Sequence, residues 1–263
     1  MRVYSVTTSA PAPALKEIRI IPLPGFPEVT TGDDLPAMIL AALRRQRLAL
    51  LEGDVIVVKQ KAVSKAEGRV VKLAEVVPGK KAVALARRHG KDPRVVELVL
   101  RESVRVVREG HGVIITETRQ GFVCANSGVD RSNVPDGQAS LLPADPDASA
   151  KQIRESLEKS TKTELGVIVT DTFGRPWRKG QTDVAIGCSG INPLNSYRGK
   201  KDRHGYELRV TEPSLADEIA GAAELASGKL TGVPVVLVRG VRFSRGEGGV
   251  RSMLMDRDRD LFR

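Results

Sequence analysis

Leu165-Gly166-Val167-Ile168-Val169-Thr170, followed at once by Asp171-Thr172-Phe173-Gly174-Arg175-Pro176-Trp177-Arg178-Lys179-Gly180-Gln181-Thr182-Asp183, decides the reading of this chain. The first six residues are uncharged and largely β-branched, which predicts a short buried strand. A carboxylate and a hydroxyl at its end are the oxygen donors that a hard cation takes. Arg175, Arg178 and Lys179 follow closely enough to grip the phosphates such a cation accompanies. The plainer alternative is a turn with a solvated basic tip.

Outward from that strand, Asp147 to Lys162 reads as a helix leading into it, and Ala139 to Pro146 as loop. Asp54 to Lys59 contains Val55-Ile56-Val57-Val58, a second buried strand, and Pro234 to Arg239 a last core strand. Glu17 to Leu23 alternates weakly as a strand, and the prolines of Pro22-Leu23-Pro24-Gly25-Phe26-Pro27 then force a loop. Capping residues at Thr30 to Asp34 announce a helix over Leu35 to Leu51. Further helices are predicted over Lys80 to Arg88, over Pro93 to Val107, and from Thr211-Glu212-Pro213, with Ile219, Ala222, Ala223 and Leu225 along one side. Gly112 to Glu117 and Phe122 to Ala125 are predicted strands. Residues 1 to 16 are small, proline-containing and polar, a flexible amino-terminal arm ahead of one domain over 17 to 263. No repeat or composition break marks a linker.

The 263 residues suffice for one large domain or two sharing an extensive core, and 41% hydrophobic content excludes wholesale disorder. No apolar run approaches the roughly 20 residues of a membrane helix, and no signal peptide is visible, so a cytoplasmic protein is expected. Cys124 and Cys188 lie far apart, which predicts no structural disulfide. The net charge of +10 calls for anionic partners. With aromatics at 3% and no uninterrupted basic arm, small multiply charged phosphates fit better than nucleic acid.

Familiar nucleotide signatures are missing: Leu230 stands where Gly228-Lys229 would need a Ser or Thr, and Gly246-Glu247-Gly248-Gly249 completes no dinucleotide fingerprint. His89, His111 and His204 form no metal pair. Three polar blocks remain. In Ser64-Lys65-Ala66-Glu67-Gly68-Arg69, Lys65 is either a phosphate ligand or part of a charged turn. In Cys124-Ala125-Asn126-Ser127-Gly128-Val129-Asp130-Arg131-Ser132-Asn133, Asp130 is either a second metal carboxylate or the head of an Asx turn. The third is Asp171-Thr172 and its basic sequel.

In order, Lys61…Val63 to Arg69, Ala125-Asn126-Ser127-Gly128-Val129-Asp130…Asn133, and Thr170 to Arg178…Gly180…Asp183-Val184-Ala185-Ile186-Gly187 closely resemble the coenzyme F420-0:L-glutamate ligase family, the F420-0:γ-glutamyl ligases. Asp202-Arg203-His204-Gly205-Tyr206-Glu207-Leu208 and Gly232 to Gly240 continue the match, which runs from about Ile18 to Arg263. The resemblance implies an α+β fold of two interwoven α+β subdomains with mixed sheets, working as a homodimer, in its stand-alone form. It implies GTP as co-substrate, Mg2+ or Mn2+ as two ions per site, and transfer of L-glutamate to F420-0, with further γ-linked glutamates as an extension. A K+ requirement stays open.

Position by position, Asp130 and Asp171 match metal carboxylates, and Thr172 a ligand of the second metal. Lys65 and Asn133 match nucleotide contacts, Phe26-Pro27-Glu28-Val29 an amino-terminal nucleotide loop, and Ser227-Gly228-Lys229-Leu230-Thr231-Gly232-Val233-Pro234 a further one. Two positions depart: Gln60 stands where Ser or Thr is common, and Lys229 where the family often has a metal-ligating Gln. An ammonium does not ligate a cation, so either water completes the second metal or Lys229 takes over phosphate charge.

The implied reaction explains the residue types. At 4 Å, like charges repel by roughly 4 kcal/mol at an effective dielectric of about 20, so a carboxylate and a triphosphate meet only if cations intervene. Asp130, Asp171 and Thr172 would hold such cations, and Lys65 with Arg175, Arg178 and Lys179 would offset the remaining charge. The same mechanism acting on another carboxylate cofactor precursor is the nearest rival. A nucleic-acid-binding protein is the rival from a different class.

Overall fold

A computed structural model describes residues 17–261, so the expected arm over 1–16 lies outside the described residues. Its main sheet has five strands in the order β1-β10-β2-β8-β9. These are β1 (Arg19–Pro22), β2 (Val55–Lys59), β8 (Gly166–Arg175), β9 (Arg178–Ser189) and β10 (Val235–Arg239). The uncharged runs of β2, β8 and β10 occupy the middle, where both faces are buried.

Register decides where the chemistry goes. β2 and β8 are parallel, with Lys59 beside Thr170, so Gln60 and Asp171 both lie just past the end of that strand pairing, where β8 runs on against β9 alone. β10 runs antiparallel to β2, with Val235 opposite Val58, which brings the preceding loop to that same end. β1 pairs with β10 so that Pro22 faces Val236, and the chain after β1 emerges there too. Four segments distant in sequence therefore meet at one end of the sheet.

The helices begin where side chains cap them. Asp34 accepts from the Ala37 amide (3.0 Å) at the start of α1 (Leu35–Arg45), and Asp145 from Ala148 (3.1 Å) at α5 (Pro146–Thr161). α2 (Gln60–Ala66) follows β2 directly, and α6 (Leu215–Ser227) packs on β9, β1 and β10. A second hydrophobic core lies among α3 (Lys80–His89), α4 (Pro93–Arg101), the antiparallel sheet β4 (Ser103–Gly110), β5 (Val113–Thr118) and β6 (Val123–Ala125), and the pair β3 (Val70–Lys72) and β7 (Gln138–Ser140). The fold is α+β, with one mixed and two antiparallel sheets.

Several expectations need correcting. The helix predicted to reach Leu51 stops at Arg45, because Arg47 turns left-handed (φ 55°). The helix predicted over Pro93 to Val107 ends at Arg101. Beyond it, Val104-Arg105-Val106-Val107 joins a sheet, where Arg105 donates to Glu117 across the strands (2.8 Å). The loop predicted over Ala139 to Pro146 begins with the end of β7. Leu225, expected on the inner side of α6, is 86% exposed; it lies six residues from buried Ile219, on the far side of a 3.6-residue helix. The strand read as ending at Thr170 continues to Arg175 and turns back as β9.

Cys124 and Cys188 are free and buried, and burial chiefly pushes both thiols up to about 12. Among the described residues no helix is long and apolar enough to cross a membrane.

Two buried features make the frame sensitive to single changes. A Cβ at Gly187 would sit 2.2 Å from the Pro146 carbonyl oxygen, where α5 meets β9. Gly187→Ala is expected to cost about 1–3 kcal/mol as overpacking, read as a lower urea midpoint with unchanged slope. Asp54, 1% exposed, accepts from Arg239 Nε (2.8 Å) and Nη2 (2.7 Å) and from the Leu51 amide (2.8 Å). Asp54→Ala strands that guanidinium against the sheet, and about 3 kcal/mol should be lost in the same unfolding measurement.

Candidate active site

The edge where the four segments meet holds a cavity of about 420 Å³. Phe26, Pro27, Glu28 and Val29 enter it from the chain after β1, and Gln60 and Lys65 from α2. Asp171 and Thr172 come from β8, and Gly228, Lys229, Leu230, Gly232, Val233 and Pro234 from the loop before β10. Asn133 completes the wall. Ser227 and Thr231, expected in the same loop, are not on the wall; the Thr231 hydroxyl instead donates to the Ser227 carbonyl and ties the loop to the end of α6.

Lys65 lies on a helix rather than in a charged turn, its side chain 13% exposed and ion-paired with Glu28. Gln60 is buried and accepts from the Ser64 hydroxyl (2.8 Å). Asp130 sits where an isolated bridge to Ser140 extends the small sheet of the second core. Asp130 does not itself line the cavity, and the Asx turn expected of it is formed. One oxygen closes the Asx turn with the Ser132 amide (2.8 Å), and the other takes the Lys61 ammonium (2.6 Å). Burial acts to raise Asp130, but Lys61 and Ser132 outweigh it and hold the carboxyl below its usual range.

Asp171 behaves differently. Its carboxyl is pushed up to about 6, first by burial and further by Asp183 and Asp130, against the Thr172 amide and Lys61. Two carboxylates from different cores thus share one ammonium, leaving a net negative charge. Among the described residues no three Asp, Glu, His or Cys side chains form a ready-made metal cage. Even so, hard oxygen donors with an uncompensated charge fit a divalent cation at Asp130 and Asp171.

Beside them lies a cluster that the sequence reading missed. Asp183 is fully buried opposite Thr172 in the β8–β9 register. It accepts from Lys59 (2.5 Å), Thr172 (2.6 Å), Thr170 (3.2 Å) and Lys229 (3.1 Å). Glu224 of α6 pairs with the same two lysines, at 2.9 Å from Lys229 and in close contact with Lys59. Burial works to raise both carboxyls, and the lysines outweigh it and lower them. Lys229, which burial alone would lower, is raised by Glu224 and Asp183. It is a committed ammonium and holds no lone pair for a metal, which removes it from the ligand set.

Arg175, Arg178 and Lys179 do not reach the cavity. They sit on the exposed tip of the β8–β9 hairpin, where Arg175 donates to the Lys179 carbonyl (2.9 Å). Four residues of strand carry Arg175 roughly 13 Å beyond Asp171. For these three side chains the solvated basic tip is the correct reading.

Together the fold and the cleft define an α+β protein whose sheet edge opposes carboxylates and lysines around a space for a small, multiply charged ligand. Residues 25–240 match the family model described as F420-0:Gamma-glutamyl ligase. The chain is 45% identical over 249 residues to the coenzyme F420:L-glutamate ligase of Methanothermobacter thermautotrophicus, covering 94% of this chain and 99% of that protein. It is 45% identical over 254 residues to the protein of the same name from Methanopyrus kandleri, covering 95% and 99%. A third relative of that name, from Methanocaldococcus jannaschii, is 45% identical over 213 residues, covering 81% and 85%. The chain belongs to the F420-0:γ-glutamyl ligase family.

Proposed function

We propose that this protein is a GTP-dependent ligase of coenzyme F420 biosynthesis that joins the amine of L-glutamate to the carboxylate of F420-0. The observation that carries the reading is the meeting of Asp171, Lys61 and Lys65 on one cavity wall, with Asp130 ion-paired to Lys61, in a chain of this family. A carboxylate does not acylate an amine directly, because its leaving group would be an oxide. In the proposed route a carboxylate oxygen of F420-0 attacks the γ-phosphorus of GTP, and GDP leaves. The glutamate amine then attacks the acyl carbon of that acyl phosphate and loses a proton, and phosphate departs with the carboxylate's oxygen. A second round on the new γ-carboxylate would add a further glutamate.

Lys65 is the phosphate-binding candidate: its ammonium is held inside the cavity wall, and its partner Glu28 is largely exposed and free to swing away. Asn133 and the loop from Gly228 to Pro234 supply polar and backbone contacts on the other walls. Asp130 and Asp171 would hold Mg2+ or Mn2+, which when bound screens the negative charges of the two reactants. Lys61, on the cavity wall, ion-pairs with Asp130 (2.6 Å), whose charge is felt at Asp171. The reading extends to a cytoplasmic homodimer, as the family resemblance implies.

Mass spectrometry of F420-0 incubated with the protein, GTP, L-glutamate and Mn2+ tests it. A gain of one glutamyl unit, stoichiometric with GDP, is expected. GDP formation only with a different carboxylic acid would assign the same mechanism to another substrate, and no GDP under any of these conditions would reject the ligase reading.

A further inference from the structure

We propose that the Lys229 ammonium is a built-in cation of this site, standing beside Thr172, Asp183 and Glu224 in the position a second divalent ion would otherwise take. The inference rests on reading the cleft as a cation-assisted nucleotide site, and it concerns how many of those cations the chain supplies itself.

The geometry is that of an ammonium in an oxygen cage. Lys229 Nζ lies 3.1 Å from Asp183 Oδ1 and 2.9 Å from Glu224 Oε1, and it donates to the Thr172 hydroxyl. That hydroxyl in turn donates to Asp183 Oδ1 (2.6 Å), so Thr172 is engaged on both sides. Three oxygens from a strand, its hairpin partner and a helix converge on one point, and a side chain's charge fills it. The loop carrying Lys229 is anchored for this: Gly228 takes a positive φ of 59° at the end of α6, and Thr231 ties back to Ser227. Leu230, the next residue, is 98% exposed, so no apolar packing of its neighbour holds Lys229 in place.

Charge counting separates this position from the one beside it. At Asp130 and Asp171, two carboxylates face the single ammonium of Lys61, and one negative charge is left for a divalent ion. At Asp183 and Glu224, two carboxylates face the two ammoniums of Lys59 and Lys229, and nothing is left over. A divalent ion entering there would meet two fixed positive charges and no excess negative one, a repulsion that desolvation makes worse. Removing Lys229 alone restores the imbalance and opens Glu224 Oε1, Asp183 Oδ1 and the Thr172 oxygen, the last two bonded then only to each other, to the hard cations Mg2+ and Mn2+.

The test is a count of bound Mn2+ on the full chain, followed by loss of the free-ion electron paramagnetic resonance signal, with and without GDP. Lys229→Gln is expected to bind one more Mn2+ per chain than the wild type. Its Tm should stay close to wild type, because Lys229 is half exposed and sits on a surface loop. Lys229→Ala, which removes the amide oxygen as well, provides the second variant and should also gain an ion, more weakly held. Equal or lower counts in the variants overturn the proposal. Absence of glutamylation with the predicted difference in ion count would instead reject the functional reading and leave the built-in cation standing.

Discussion

Asp171→Asn is expected to lower the glutamylation rate by about 10³-fold or more, the scale set by removing a metal-held or transition-state charge, while leaving the fold as stable as before. The second half follows from the electrostatics. The Asp171 carboxylate is a charge penalised first by burial and opposed by Asp183 and Asp130, against the favour of the Thr172 amide and Lys61. Asparagine keeps the volume and removes the repulsion, so the Tm should equal or exceed that of the wild type. Loss of activity with unchanged or improved stability is the mark of a carboxylate retained for chemistry. A variant with full activity, or one that fails to fold, would contradict that role.

Asp183→Ala should do the opposite, reducing stability and activity together. Asp183 is fully buried and accepts from two lysines and two threonines on β2, β8 and the loop before β10. Its removal leaves Lys59 and Lys229 crowded on Glu224 and takes the acceptor from the Thr172 hydroxyl, while Thr170 keeps the Val184 carbonyl (3.0 Å). Breaking a buried ion pair at one partner costs about 3–5 kcal/mol, which for a domain of this size lowers the Tm by roughly 6–20 °C. Activity at a temperature well below the new Tm should still fall, because Thr172 and Lys229 line the cleft and lose their common anchor. A thermal scan beside an initial-rate measurement separates the two effects; wild-type values in both would mean that the cluster anchors nothing.

These two aspartates also show what the sequence can and cannot reveal. Asp171 is legible because it follows an uncharged β-branched run, and the charge falls where the buried pairing of β8 with β2 stops. The other central strands and most helix starts are legible for equally local reasons, apolar runs and capping side chains. Asp183 is not legible in the same way. Its meaning depends on the β8–β9 register, which sets it opposite Thr172, and β9 is disguised by the glycine, arginine and lysine of its protruding half. Lys59 reaches Asp183 across 124 residues and Glu224 across 165, so neither pairing leaves a local pattern.

The basic hairpin tip shows the converse error: closeness in sequence to Asp171 suggested a phosphate grip, but an extended strand carries successive residues away from one another. The part of β4 up to Val107 fits a helix because its valines and arginines satisfy a helical spacing as well as an alternating one. Cross-strand partners, absent from any local window, decide between them. For the candidate site, the wall from Phe26 to Val29, Lys65, Asn133 and the loop before β10 was legible through family resemblance. The lysines that balance its carboxylates emerged from the fold.

The most direct measurement is anomalous scattering from Mn2+ in crystals grown with GDP. The account predicts a manganese peak within about 2.0–2.6 Å of carboxylate oxygens from both Asp130 and Asp171, the reach of a hard cation, with the nucleotide's phosphates beside Lys65. Side chains of Asp130 and Asp171 facing separate regions, with manganese bound to neither, would contradict it.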